Sequence, residues 1–163
     1  MVKNTLGYLD KMRNYYFCFK LCIMRSFVFL FLIFICAKCA LAQDVTGKWI
    51  TVDDQTGIKK SVVLLYEKDG RLYGKVIAIL DKSKGEDPLC TKCKGKLKDK
   101  PILGMTVVNG LTKTKKGWEA ENAFLEPESG WVVDGRLWPE GDELKVRAYV
   151  GALYRTQTWI RLK

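Results

Sequence analysis

From residue 43 to the end of the chain, apolar and polar residues alternate in short stretches separated by turn-forming residues. In one such stretch, Leu144, Val146 and Ala148 point to one side of an extended strand, while Lys145 and Arg147 point to the other. A period of two residues is typical of a half-buried β-strand. The pattern predicts strands at residues 49–52, 61–67, 71–80, 102–108, 118–121, 131–138, 143–149 and 156–162.

Turn signals divide these predicted strands. Asp69-Gly70 indicates a tight hairpin between the second and third strands. The later strands are punctuated by Asn109-Gly110, Lys116-Gly117, Ser129-Gly130 and Glu140-Gly141. Residues 81–101 are polar and rich in lysine, which predicts a long loop. About eight strands joined mostly by short turns predict an all-β fold, an antiparallel β-barrel that is closed or nearly closed, because closure removes exposed strand edges.

A different pattern precedes the strands. Residues 24–42 begin with Arg25, continue in an apolar run over residues 27–37, and end in the small residues Ala40 and Ala42. This is the pattern of a secretory signal peptide cleaved after Ala42, and it predicts export to the periplasm or the cell exterior. The run is too short for a transmembrane helix, which needs roughly 20 apolar residues, although an uncleaved anchor is the alternative.

The first 23 residues are interpreted as a start-site misassignment, with Met24 as the true start, because a signal peptide normally begins close to its apolar run. A long basic leader is the alternative. The predicted organisation is therefore a leader at residues 1–42 and a single barrel domain at residues 43–163.

Removing the leader changes the charge of the chain. The full sequence carries 28 basic and 18 acidic residues, but residues 1–42 hold six and one of these, so residues 43–163 have a net charge of +5. A cluster of lysines falls in the long loop, at Lys92, Lys94, Lys96, Lys98 and Lys100. Such a run is typical of a solvated loop. It would also suit an anionic envelope component, whereas nucleic acid is not expected as a partner outside the cytoplasm.

Cysteine and histidine usage limits the chemistry. Only Cys90 and Cys93 remain after the leader is removed, and two exported thiols are expected to form a disulfide. A redox-active pair and half of a metal site are the alternatives, but a metal site would need further soft ligands. The sequence has no histidine, which excludes Ser-His-Asp, Cys-His and histidine-ligated zinc mechanisms. No catalytic set, metal site or cofactor is predicted, and the sequence favours a non-catalytic protein.

Several motifs appear in one order along residues 43–163. They are Cys90-x-x-Cys93, Asp99-Lys100-Pro101-Ile102-Leu103-Gly104-Met105, Leu125-x-Pro127-x-x-Gly130, Leu144-Lys145-Val146-Arg147 and Arg155-Thr156-Gln157-Thr158-Trp159. In this set the chain resembles the secreted bacterial family called domain of unknown function 2147, whose label names no activity. It departs from that family's pattern at Asn122, Ala148 and Trp131, where Gly, Gly and a smaller or polar residue are more typical.

A second resemblance concerns the two ends of the predicted barrel domain. Gly47-Lys48-Trp49 and Arg161 are similar to the G-x-W motif and the last-strand arginine of lipocalin-like barrels. The resemblance implies that Trp49 closes one end of the barrel and that Arg161 packs across it through a cation-π contact. Alternatively, Trp49 is an ordinary core residue.

An eight-stranded barrel can hold one small ligand, and this gives the first functional hypothesis. Arg147, Tyr149, Gln157 and Trp159 lie on adjacent predicted strands and are candidate contacts for a small apolar or amphipathic ligand. The alternative is that these four residues form cross-strand pairs on an outer face. The second hypothesis is an envelope interaction module that contacts glycan, anionic lipid or protein through the lysine-rich loop.

Overall fold

The computed structural model describes residues 44–163, and these form a closed antiparallel β-barrel. Its eight strands are β1 (Gly47–Val52), β2 (Lys59–Lys68), β3 (Arg71–Ile79), β4 (Thr106–Thr114), β5 (Gly117–Glu126), β6 (Trp131–Glu140), β7 (Glu143–Val150) and β8 (Leu153–Arg161). Each strand pairs with its neighbour in sequence, and β1 pairs with β8. The predicted closed barrel is confirmed. The predicted signal peptide and the first 23 residues lie outside the described residues.

The interior is divided into two halves. A layer of leucines fills the half that is next to the β2–β3, β4–β5 and β6–β7 turns, and its fully buried members are Leu65, Leu72, Leu111, Leu137 and Leu144. The other half, lined by residues that include Val76, Phe124 and Val146, is less completely filled. On β7, the side chains of Leu144, Val146 and Ala148 face the interior, so the polar side chains that alternate with them face outward.

Bulges bend the strands and make their ends differ from the predicted ones. The sequence predicts a turn at Asn109-Gly110, and this prediction is wrong. The two residues form an irregularity inside β4, where the register with β5 shifts between Val108 and Thr112. A facing shift lies between Ala120 and Phe124 of β5, where Asn122 has a φ of 48° that asparagine tolerates better than most residues. Bulges increase strand curvature, which helps a sheet of this size to close.

The predicted fourth strand begins too early. Residues 102–105 belong to the long loop, because Pro101 lacks an amide hydrogen and Gly104 has a φ of 85°. Ile102 and Met105 instead pack against the Cys90–Cys93 disulfide. The loop is anchored to β3 by two backbone hydrogen bonds, in which the Val76 amide donates to the Met105 carbonyl at 2.9 Å and the Gly104 amide donates to the Val76 carbonyl at 2.8 Å.

Among residues 44–163, we find no helix with the length and apolar character that crossing a membrane requires.

Candidate functional site

A cavity of about 1060 Å³ opens at the end of the barrel opposite the leucine layer. We call this opening the mouth. The buried wall of the cavity is apolar and consists of Val63, Val76, Val107, Phe124, Val146 and Trp159. Ligand pockets in proteins usually have volumes of roughly 300–1,000 Å³ with mostly hydrophobic linings. The cavity is therefore large enough for one small molecule.

A glycine on β6 determines how far Phe124 intrudes into the cavity. A Cβ atom added to Gly135 would lie 2.2 Å from the Phe124 ring, so the ring occupies the space that a side chain at residue 135 would take. Any side chain at residue 135 would displace Phe124 toward the centre of the barrel. The small side chain of Ala148 on β7 also lines the cavity.

Few polar side chains face the cavity below the mouth. Thr51 and Ser61 bond to each other, with their hydroxyl oxygens 2.9 Å apart. The Gln157 Oε1 atom accepts a long hydrogen bond of 3.5 Å from the Trp159 indole nitrogen. Because the Gln157 amide nitrogen has no hydrogen-bond acceptor among residues 44–163, it is a donor available to a polar group inside the cavity.

Ion pairs connect separate segments around the mouth. The Lys60 Nζ atom on β2 lies 3.0 Å from Asp53 Oδ2 in the β1–β2 loop and 2.9 Å from Glu128 Oε2 in the β5–β6 turn. Lys84 of the long β3–β4 loop lies 3.0 Å from the other oxygen of Glu128. Three connecting segments are thus joined through one lysine and one glutamate.

Arg155 on β8 extends this network to the last strand. Its Nε atom donates to Asp54 at 2.8 Å, its Nη2 atom also donates to Asp54, and Nη2 lies 3.9 Å from Asp53 Oδ2. A two-pronged arginine–carboxylate pair fixes geometry better than a lysine pair does. We call the six residues Asp53, Asp54, Lys60, Lys84, Glu128 and Arg155 the rim network.

The rim network shifts the ionisation of its members. Hydrogen bonds from Lys60 and from the Thr56 amide and hydroxyl hold the pKa of Asp53 far below its usual range. The hydrogen bond from Arg155 lowers the pKa of Asp54. Burial raises the pKa of Glu128, but the hydrogen bonds from Lys60 and Lys84 outweigh burial and leave it lowered. The three carboxylates of the network are therefore ionised at neutral pH.

One wall of the mouth is built by the disulfide. Cys90 and Cys93 are bonded, as predicted, and the Cys90 sulfur lies 3.2 Å from the Pro127 carbonyl oxygen of the β5–β6 turn. Gly130 in that turn has a φ of 73°, and a Cβ atom there would lie 2.0 Å from the Lys92 carbonyl oxygen. The disulfide loop and the turn therefore pack backbone against backbone.

The four candidate ligand contacts are divided between two faces. Gln157 and Trp159 line the cavity. Arg147 and Tyr149 lie on the outer face, where Arg147 Nε donates to the Thr156 hydroxyl at 2.8 Å. The Tyr149 ring lies 6.3 Å from the Tyr154 ring on the same side. The structure thus corrects the expectation that all four residues lie together, because strand alternation places Arg147 and Tyr149 opposite to Val146 and Ala148.

At the closed end, the structure places Arg161 against Trp49. The guanidinium carbon lies 4.3 Å from the centroid of the Trp49 ring, which is almost fully buried. Arg161 Nη1 also donates to the Thr46 carbonyl at 3.0 Å, and the Trp49 indole donates to the Val45 carbonyl at 2.8 Å. These contacts seal the barrel where the first and last strands meet.

The five lysines of the loop are exposed, and they begin at the mouth. Lys92 lines the cavity, and Lys100 borders a shallow groove on the outer wall together with Leu97 and Val132. Lys92, Lys94, Lys96 and Lys98 have no ion-pair partner among residues 44–163.

Sequence reasoning did not identify the rim network. Asp53, Asp54 and Glu128 lie in connecting segments beside turn-forming residues. Two of the pairings join residues that are distant in sequence, since Lys60 is 68 residues from Glu128 and Arg155 is 101 residues from Asp54. A signal was present only in the Asp53-Asp54 pair at the end of a predicted strand.

Comparison with known proteins agrees with this architecture. Residues 47–161 match the model of a family described as an uncharacterized protein conserved in bacteria (DUF2147). No curated protein matches the sequence. Among solved structures, the chain is similar to protein HP1028 from the human pathogen Helicobacter pylori, which is described as belonging to the lipocalin family. The two structures have a TM-score of 0.62 and a sequence identity of 22%, and the similarity covers 74% of this chain and 84% of that one. At this identity the likeness concerns the fold.

Proposed function

The chain belongs to the DUF2147 family of uncharacterized bacterial proteins, and from that premise we propose that it binds a small apolar or amphipathic molecule inside its barrel. The observation that carries the proposal is the apolar cavity of about 1060 Å³ that opens to solvent at one end only of the described barrel. The lipocalin description of HP1028 supports the same reading of the fold. No described residue cluster points to catalysis.

The arrangement of the lining favours a ligand with an apolar body. Burying apolar surface stabilises a complex by roughly 25 cal/mol per Å², and the lower cavity offers almost only apolar surface, including Phe124 and Trp159. Any polar end of the ligand would lie toward the mouth, where the Gln157 amide and the rim network can bind it. Because the cations of the rim network are already paired, a neutral or zwitterionic end fits better than a strong anion.

A cavity-blocking variant tests the proposal. Ala148→Trp places a large ring in the cavity, and its matched control is Tyr149→Trp, the next residue on the same strand but on the outer face. The probe is the neutral fluorophore N-phenyl-1-naphthylamine. We expect Ala148→Trp to weaken probe binding at least tenfold and Tyr149→Trp to leave it unchanged. Equal affinities in both variants, or no binding by the unmodified protein, would refute binding in the barrel.

The proposal includes export of the chain and cleavage after Ala42, which leaves residues 43–163 as one working domain. Val45, three residues after that point, is buried in the barrel, and its carbonyl accepts the Trp49 indole hydrogen bond. The Cys90–Cys93 disulfide also suits an oxidising compartment. The intact mass of the protein from the envelope fraction of its host should correspond to a chain that begins at Gln43. A mass that includes residues 1–23 would contradict Met24 as the start.

A further inference from the structure

Large apolar side chains are exposed around the mouth. The three most exposed are Leu153, Tyr154 and Trp131, at 76%, 62% and 58% of their full accessible areas. All three line the opening of the cavity, together with the exposed side chains of Val150 and Leu89. Isolated exposed apolar residues are ordinary on a protein surface, but a contiguous group that surrounds one opening indicates a contact surface.

The opposite end of the barrel has a different character. Its three turns consist of Asp69-Gly70, Lys115-Lys116 and Gly141-Asp142. None of these carries an apolar side chain, although they connect strands in the same way as the β7–β8 turn does. Apolar side chains at the hairpin ends therefore occur at the mouth and not at the opposite end of the barrel.

Basic groups begin at the same opening. The backbone of Lys92 packs against Gly130, which directly precedes Trp131. Lys92 lies at the mouth, and Lys94, Lys96 and Lys98 follow in an exposed segment with a single helical turn, Gly95–Leu97, beside the groove on the outer wall. The described structure gives these four lysines no carboxylate partner, in contrast to Lys60 and Lys84 of the rim network.

We propose that the mouth docks on an anionic phospholipid bilayer, with Leu153, Tyr154 and Trp131 in the interfacial region and the lysine run against the headgroups. Tryptophan and tyrosine favour the membrane interface because their rings are amphipathic. Each basic residue held near an anionic surface strengthens binding about fivefold. Asp87 and Glu126 also line the mouth and oppose the approach, so the unpaired lysines are needed to make it favourable.

Docking in this orientation would place the open cavity directly against the lipid. A ligand could then pass between the bilayer and the barrel without crossing water. This consequence rests on the proposed ligand binding, but docking itself does not, since it depends only on side chains outside the deep cavity. The two proposals can therefore fail separately.

The apolar part of the docking surface is tested by co-sedimentation with vesicles of phosphatidylcholine that contain phosphatidylglycerol. The double variant Leu153→Ser with Trp131→Ser is compared with Ile160→Ser with Leu162→Ser, which alters exposed apolar residues near the closed end. We expect at least tenfold weaker binding for the mouth variant and less than threefold for the control. Circular dichroism and thermal unfolding establish that both variants are folded.

The contribution of the lysines to docking is tested by two variants, each of which replaces four lysines. Lys92, Lys94, Lys96 and Lys98 are changed to Gln, and the control changes Lys48, Lys68, Lys115 and Lys116 to Gln, four exposed lysines near the closed end. Both variants lose the same net charge. We expect about tenfold or greater loss for the mouth variant only, and weaker binding of the unmodified protein at high salt.

Three outcomes would overturn docking. Equal losses in the two lysine variants would mean that net charge alone drives adsorption. Absence of binding to anionic vesicles by the unmodified protein would exclude the bilayer as partner. A dimer seen by native mass spectrometry that dissociates in the Leu153→Ser, Trp131→Ser variant would assign the apolar ring to a second copy of the chain. In each case, unchanged binding of N-phenyl-1-naphthylamine would still support ligand binding inside the barrel.

Discussion

Arg161 joins the last strand to the segment that precedes the first. Its guanidinium group covers the Trp49 ring and donates to the backbone carbonyls of Thr46 and Asp44. A cation-π contact contributes roughly 0.5–2 kcal/mol, and hydrogen bonds from a charged donor add to this. A single side chain thus closes one end of the barrel and holds the segment that precedes β1 in place.

We expect Arg161→Met to lower the free energy of unfolding by about 2 kcal/mol, because methionine keeps much of the aliphatic stem but loses the charge and the donors. Lys48→Met, an exposed position on β1, is the control and should change stability by less than about 0.5 kcal/mol. Equilibrium unfolding in urea, followed by tryptophan fluorescence, measures both. A loss for Arg161→Met no larger than that of the control would contradict the role of the contact.

Asp53 makes the stability of the mouth dependent on pH. Its pKa is lower in the folded protein than in the unfolded chain, mainly because Lys60 and the Thr56 amide and hydroxyl bind the ionised form. The resulting stabilisation is complete above the unfolded pKa of about 4 and is lost as the pH falls through the folded pKa. Asp54 and Glu128 shift in the same direction and add to the effect.

Asp53→Asn should therefore lower stability at pH 7 and flatten the decline in acid. The difference in urea midpoint between the two proteins is expected to shrink steadily as the pH falls from 5 to 2, because below about pH 4 the unfolded chain takes up a proton at Asp53 whereas the native carboxylate stays ionised. Asp69→Asn, in the turn at the closed end, serves as the comparison. Parallel curves for Asp53→Asn and the unmodified protein across this range would show that the aspartate contributes nothing specific.

At the scale of elements, the disulfide loop and the β5–β6 turn act as one unit. The absence of a side chain at Gly130 lets the turn approach the Lys92 carbonyl, and Cys90, Cys93 and Met105 form a separate small apolar cluster beneath. This cluster gives the long loop a core of its own. The loop is therefore an ordered wall of the mouth and not a flexible connection.

Gly130→Ala tests this close approach against a position with matched backbone. Gly70 has a φ of 72°, close to the 73° of Gly130, but a Cβ atom there would meet nothing within 4 Å. Both variants place alanine in a left-handed conformation, which costs roughly 1–2 kcal/mol. Gly130→Ala should cost at least about 2 kcal/mol more and should increase hydrogen exchange of amides in residues 89–105. Equal losses in the two variants would mean that the turn moves away freely.

Alternation was enough to predict most of the elements, because β3, β6 and β7 each bury every second residue of their buried stretch against a single interior. It could not say which face was inside, since register shifts such as those in β4 and β5 change the phase from strand to strand. Nor does it give the β7–β8 register, which pairs Val146 with Gln157 and Arg147 with Thr156 and so places Arg147 on the face opposite to Gln157. Most of the rim network was out of reach for a different reason: Arg155 meets Asp54, and Lys60 meets Glu128, only once the barrel has formed.

At the largest scale, residues 44–163 form a barrel with one packed half and one open half. Leucines fill the closed end, whereas the mouth combines a cavity, charged pairs and exposed apolar side chains. An unfilled apolar cavity lacks the contacts that a packed core would supply. A ligand that fills it should therefore stabilise the fold as well as bind to it.

Saturation with ligand is expected to raise the melting temperature. A ligand present at 100 times its dissociation constant stabilises the native state by about 2.7 kcal/mol, which for a domain of this size corresponds to a shift on the order of 10 °C. N-phenyl-1-naphthylamine should produce a shift in the unmodified protein and in Tyr149→Trp but not in Ala148→Trp. Equal shifts in all three proteins, measured by calorimetry, would place the ligand outside the barrel.

The seam between β1 and β8 also determines when the barrel can form. Only two residue pairs, Trp49 with Arg161 and Ile50 with Ile160, define its register, and they lie at opposite ends of the described chain. During synthesis or passage through a translocation channel, β1 therefore lacks one of its two partners until the final residues emerge. A chain truncated before β8 would keep two open strand edges, which are templates for aggregation. Integrity of the last nine strand residues, Leu153–Arg161, should thus govern soluble yield more strongly than any residue of the cavity.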